Sequence, residues 1–362
     1  MDRSEARKNI LKTSPTLQHT ESWIETLSSG QEYLPPPPFY LVVIVAVAFA
    51  YLDAQLKAAD PQHGKGYWWE LPDEAHNTLL VLLSLLLAFR TSEAYSRWWE
   101  ARTLWGQIVN STRSISSNTA TWFDNLDRQR QIIKLTICFA WTTKAALRGV
   151  RPSEEELGGL LDGYLLDIAV GEYDEVTNDS DYPQGYVPHT AHLPMMIVDE
   201  IRHAIRCEVD EQAENSMGRP LNASWDMVMG RDISALVNAL GGCERIQKTP
   251  MPFGYLAQQR IFMLSWLLTY PVCIIGDYGW WTVPMMTFIS FIMLKVDAIG
   301  VEIEHPFGPH KHDLPLESIC IGIEKNLLEI LRRAESRYLK IYSHHDTASQ
   351  VLTGKQENIE ML

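Results

Sequence analysis

One stretch constrains this chain more than any other: LLVLLSLLLAFRTSEAYSRWWEARTLWGQIV, Leu79 to Val109. Its first eleven residues are apolar save Ser84, and they run into arginine, glutamate and tryptophan with no glycine or proline before Gly106. Such continuity predicts a single helix that is apolar at one end and charged at the other. A helix built this way passes from an apolar medium into a polar one part-way along its length.

A membrane-crossing helix needs about 20 mostly apolar residues, and four segments approach that requirement. FYLVVIVAVAFAYLDAQL begins at Phe39, directly after Pro35 to Pro38, a stiff run that cannot be helix interior. The second segment is the stretch above, reaching back to about Asp73. YLAQQRIFMLSWLLTYPVCIIG (Tyr255 to Gly276) and WWTVPMMTFISFIMLKVDAIGV (Trp280 to Val301) are separated only by DYG, which predicts an antiparallel helical hairpin. None of the four is uniformly apolar, and the mean hydropathy of the chain is −0.13. Polar residues are nevertheless tolerated in spans that face the water-filled axis of an oligomer. Trp68, Trp69, Trp98, Trp99, Trp105, Trp280 and Trp281 lie near the apolar runs, a placement suited to a membrane interface; an aromatic soluble core is the alternative.

Between the second and third segments lie amphipathic helical patterns, notably Arg128 to Leu147 and His192 to Glu214, with an acidic, turn-rich loop between them. One long charged helix follows Pro315 and gives way to a polar tail after Tyr342. The expected fold class is all-α: a polytopic membrane protein with four transmembrane helices and a large helical cytosolic region. The expected divisions are a cytosolic N-terminal segment 1–38, the first two spans 39–110, a helical cytosolic region 111–250, the last two spans 251–301, a C-terminal helical region 302–342, and a disordered tail 343–362. Lys65 is the only basic residue from Ala58 to Pro72 and DYG has none, so these connections are expected outside and both termini in the cytosol. The first residues lack the apolar core of a signal peptide, and the plasma membrane is the expected residence, with an organelle membrane as the alternative.

The formal charge of −14 disfavours a nucleic-acid partner, because a phosphate backbone would be repelled. Cys138, Cys207, Cys243, Cys273 and Cys320 form no CxxC pair and read as thiols, not as a disulfide frame or zinc site. No Gly-rich phosphate loop or HExxH is present, and His189 and His192 in HTAH have no evident third ligand. No catalytic residue, cofactor or metal is therefore expected.

Two blocks, FRTSEAYSRWWEARTLWGQIVNSTRSI and VEIEHPFGPHKHDLPLE, resemble the signature blocks of the bestrophin and bestrophin-like channels. The order of spans and the TPMPFGYL before the third extend the likeness over roughly Tyr40 to Arg337. The resemblance implies an all-helical homopentameric ion channel with a five-fold pore, a hydrophobic neck in the membrane, a cytosolic vestibule and a second constriction, the aperture. It assigns the neck to three positions spaced by four, the last lying nine residues before the first tryptophan of Arg-Trp-Trp: here Val81, Leu85 and Phe89. Residues four apart share a helix face, so five copies would stack three apolar rings, and a narrow apolar ring can empty of water and block ions. Without the resemblance, the same residues read as facing lipid or a neighbouring span. The aperture falls on the apolar residue before a proline, Met251 before Pro252; a core methionine at a helix start is the alternative.

Arg90, Glu93 and Arg97 lie just past the apolar run, where charges must be paired or wet, and Glu93 with Arg97 makes a favourable i, i+4 pair. They read as a structural ion-pair belt, or else Arg90 or Arg97 faces the vestibule. Animal members of the family carry an acidic run after Pro-Phe-Gly that binds Ca²⁺. This chain offers only Asp313 and Glu317 there, beside His310, Lys311 and His312, so no Ca²⁺ activation is expected, and the histidines read as solvated loop residues. The expected function is passive conduction of monovalent anions, chiefly chloride, with other copies of the chain, membrane lipid and the ions as partners. Some bacterial members favour cations, and acidic residues lining the vestibule would do the same here.

Overall fold

The computed structural model describes residues 5, 7, 8, 10, 35–59, 73–161, 164–170, 192–215, 223–310 and 312–359. Most of the N-terminal segment, the expected outer loop beyond Ala59 with Trp68 and Trp69, and the acidic loop with His189 lie outside these residues. Every named element among them is helical. They are α1 (Pro37–Ala59), α2 (Asp73–Trp122), α3 (Leu126–Leu147), α4 (Glu154–Leu157), α5 (Tyr164–Val170), α6 (Leu193–Asn215), α7 (Ala223–Lys248), α8 (Phe253–Tyr278), α9 (Thr282–Glu304) and α10 (Leu316–Ile359).

The helices form two compact units that interleave along the chain. One comprises Met1–Thr16, Ala101–Gln247 and Phe307–Leu362; the other comprises Leu17–Glu100 and Lys248–Pro306. These cuts differ from the expected divisions after 110, 250 and 301. The first falls inside α2, because nothing between Phe89 and Trp122 breaks that helix and only its packing environment changes.

In the second unit, α1 packs on α8 and α9 through Val42, Ala46, Ala50 and Asp53, one face at helical spacing whose small side chains permit close approach. Leu83 of α2, Met263, Trp266 and Leu267 of α8, and Met286 and Met293 of α9 complete the core. The outward faces are apolar too: Tyr40, Ile44, Phe288, Ile292 and Ile299 are exposed. A soluble domain does not carry that much uncovered apolar surface, whereas one immersed in hydrocarbon does. By length and composition, α1 and the Glu74–Trp122 helix can each cross a membrane.

The turn of the α8–α9 hairpin is displaced from its expected place. Asp277 and Tyr278 remain in α8, and a 3-10 turn, Gly279–Trp281, makes the reversal. Gly279 has φ 51° and ψ −127°, a conformation open to glycine and strained for any residue with a Cβ.

In the first unit, α3 is the hub. Fifteen of its 22 residues are buried, and it packs on both α6 and α10. Asn125 caps it, its side-chain oxygen accepting from the N–H groups of Asp127 (3.0 Å) and Arg128 (3.2 Å). All five cysteines are free thiols. The C-terminal helix also departs from expectation: α10 continues past Tyr342 to Ile359, with no proline to stop it, where the sequence reading placed a disordered tail.

Candidate functional site

The charged end of the apolar stretch is organised around α2. Leu83, Leu87, Arg90 and Ala94 recur at three- and four-residue spacing and are buried within the second unit. Val81, Leu85 and Phe89 occupy another face, with exposures of 69%, 50% and 56%. They form an apolar column just over two turns long that the other described residues leave largely uncovered.

Arg90, one residue past that column, is 1% exposed and pairs with Asp297 of α9. The other Asp297 oxygen accepts from Arg260 Nε of α8 at 3.2 Å. One carboxylate thus serves two guanidinium groups from two helices, as a charge removed from water requires. Arg90 is accordingly a structural pair and not a cation presented to solvent by this chain. Glu93 is exposed, and Arg97 Nη1 donates to the carbonyl of Thr249 at 2.8 Å. A backbone carbonyl that has lost its helical partner competes well for a guanidinium.

Met251 is half-buried in the extended segment between α7 and α8, and Pro252 is the N-cap residue of α8. The Met251 N–H donates to Glu304 Oε1 at 3.0 Å. Asp297, Arg260 and Glu304 were not singled out in the sequence, although one signal was present. Asp297, with Lys295, interrupts an otherwise apolar segment, and an acid at that depth implies a cationic partner.

In the first unit, the loop after Pro306 is held by Arg148, at the C-terminal end of α3. Its Nε donates to Phe307 O (3.0 Å) and its Nη2 to Gly308 O (3.2 Å), while Nη1 and Nη2 engage the two carboxylate oxygens of Glu317, the latter at 3.1 Å. Lys144 stands 3.9 Å from Glu317 and pairs with Glu156. Burial pushes the Glu317 carboxyl up, but the Arg148 hydrogen bonds and the nearby Lys144 outweigh it and hold the group below the ordinary carboxylate range. Asp313 accepts from the backbone N–H of His310 at 2.8 Å, yet burial dominates and raises its pKa. His310 and His312 are exposed. The carbonyl oxygens of Phe307 and Gly308 and the Glu317 carboxylate are thus all engaged by one guanidinium.

A helical unit with an apolar exterior, a buried charge cluster at one end and an uncovered apolar column on its longest helix defines a membrane protein. Residues 33–329 match the family model described as Bacterial/Fungal Bestrophin protein. The chain is 31% identical over 278 residues to a protein of Synechocystis sp. named as a voltage-dependent anion channel-forming protein, covering 74% of this chain and 81% of that one. A protein of the same name from Nostoc sp. is 32% identical over 252 residues, covering 68% and 74%. Among solved structures, a bacterial bestrophin homologue from Klebsiella pneumoniae superposes with a TM-score of 0.65 at 25% identity, over 81% of this chain and 97% of that one. The chain belongs to the bacterial and fungal bestrophin family.

Proposed function

We propose that this chain is one subunit of a homopentameric channel that passes monovalent anions, chiefly chloride, down their gradient. In this reading α1, the first part of α2, α8 and α9 cross the plasma membrane, and both termini lie in the cytosol. Five copies of α2 surround the axis, and Val81, Leu85 and Phe89 form three stacked rings, the neck. Met251 and Pro252 bound the cytosolic aperture. The observation that carries the proposal is the uncovered apolar column on α2. A monomer in water would bury it, whereas a ring of such columns makes a constriction that blocks ions when it dewets and conducts when it widens.

The anion preference draws on the names of the relatives, which are described as anion channel-forming proteins. The net charge of −14 favours the opposite sign if acidic residues line the pore. Purified protein in planar bilayers under a KCl gradient separates the two. A reversal potential near the chloride equilibrium value is expected, and one near the potassium value would make the channel cation-selective. We also propose that conduction needs no Ca²⁺, because Arg148 already supplies a fixed positive charge to the loop carbonyls and Glu317.

A further inference from the structure

The segment Thr249-Pro250-Met251-Pro252 joins α7 to α8, and its sequence makes it stiff. Each proline fixes its own φ and restricts the residue before it to extended backbone, so Thr249 and Met251 are both held extended. The prolines also lack an N–H, which leaves Met251 with the single backbone donor between residues 250 and 252.

That donor is taken by Glu304 Oε1 at 3.0 Å. Glu304 is the last residue of α9 and is 3% exposed, so its carboxylate is aimed inward at this N–H and not at water. On the other side of Pro250, the Thr249 carbonyl accepts from Arg97 Nη1 at 2.8 Å. Arg97 stands eight residues beyond Phe89 on α2, which is two turns of the same helix. Two side chains of opposite charge, from two helices, therefore grip the segment by its backbone. Charge-assisted bonds of this kind are about twice as strong as neutral ones, and they act on backbone position whatever side chain stands at 251.

We infer that Glu304 and Arg97 are positioning residues for the aperture. They fix where the Met251 side chain is presented, and through it which ions pass by size. Because Arg97 lies on the helix that carries the neck column, displacement of that helix is passed to the aperture segment. The inference rests on the reading of Met251 as the aperture residue, and the experiment separates the two.

The measurement is the permeability of thiocyanate relative to chloride in bilayers for M251A, E304A, E304Q and the double variant E304A/M251A. M251A is expected to change the ratio, and E304A to change it in the same direction by about two- to twelve-fold, the span of one lost hydrogen bond. E304Q keeps a carbonyl acceptor and restores the wild-type ratio. The double variant matches M251A, because Glu304 acts through that residue. If M251A leaves the ratio unchanged, the aperture reading falls and the inference with it. If M251A changes the ratio and E304A does not, the inference alone is overturned, as it is if the two effects add. Should E304A fail to assemble, R97M enters the same cycle from the other end of the segment, with the same outcomes deciding.

Discussion

Arg148 is the residue whose chemistry is most sharply defined. Replacing it by methionine would strip the buried Glu317 carboxylate of its hydrogen-bonded partner and leave Lys144, 3.9 Å away, as the remaining nearby cation, at a cost of about 2 kcal/mol. Because Glu317 is held below its ordinary value of 4.5 when folded, it contributes stability that is complete above that value and lost as the pH falls below it. Asp313, raised by burial, has the opposite sign and subtracts stability where it is ionised. The thermal midpoint of purified wild-type protein is thus expected to lose the Glu317 contribution below about pH 4.5. R148M should lower the neutral-pH midpoint and flatten that acid limb, followed by tryptophan fluorescence. An unchanged acid limb would show that Glu317 is not the group responsible, and a Ca²⁺-dependent midpoint in the wild type would refute the fixed-charge role. The sequence shows that PFGPHKHDLPLE holds few carboxylates. The role of Arg148 was not legible there, because the hydrogen bond to Phe307 O joins positions 159 residues apart.

At the level of elements, the apolar runs were legible because hydropathy and length are local properties. So was α2 as one helix from Asp73, since no breaker interrupts it. The partner of each helix face was not legible. Val81, Leu85 and Phe89 share a face by spacing, but whether that face is covered depends on where α8 and α9 lie. α10 runs on to Ile359 with no proline to stop it, so the polarity of the residues after Tyr342 is no guide to where it ends. The α2 column gives a direct test. Alanine at all three neck positions removes bulk from each ring, and a wider, wetter constriction is expected to raise single-channel conductance severalfold. Wild-type conductance in correctly assembled particles would remove these residues from the pore.

For the whole molecule, the apolar exterior of the second unit requires lipid or further copies of the chain around it. Images of detergent-purified particles are expected to show five-fold symmetry; any other symmetry overturns the pentamer while leaving the fold intact. The interleaving of the units also bears on how the chain is made. The first unit has its α3 hub early in the chain and the α10 that covers it late, and Arg148 meets Glu317 at a separation of 169 positions. The whole α8–α9 hairpin is encoded in between. At synthesis rates of about 5–20 residues per second, α3 waits roughly 10 to 30 s for its partner. During that interval the hairpin has emerged, but the apolar face of α3 is still open. The unit cannot close in the order in which it is synthesised, so a ribosome stalled between the hairpin and α10 would leave a sticky, half-finished subunit for chaperones to hold.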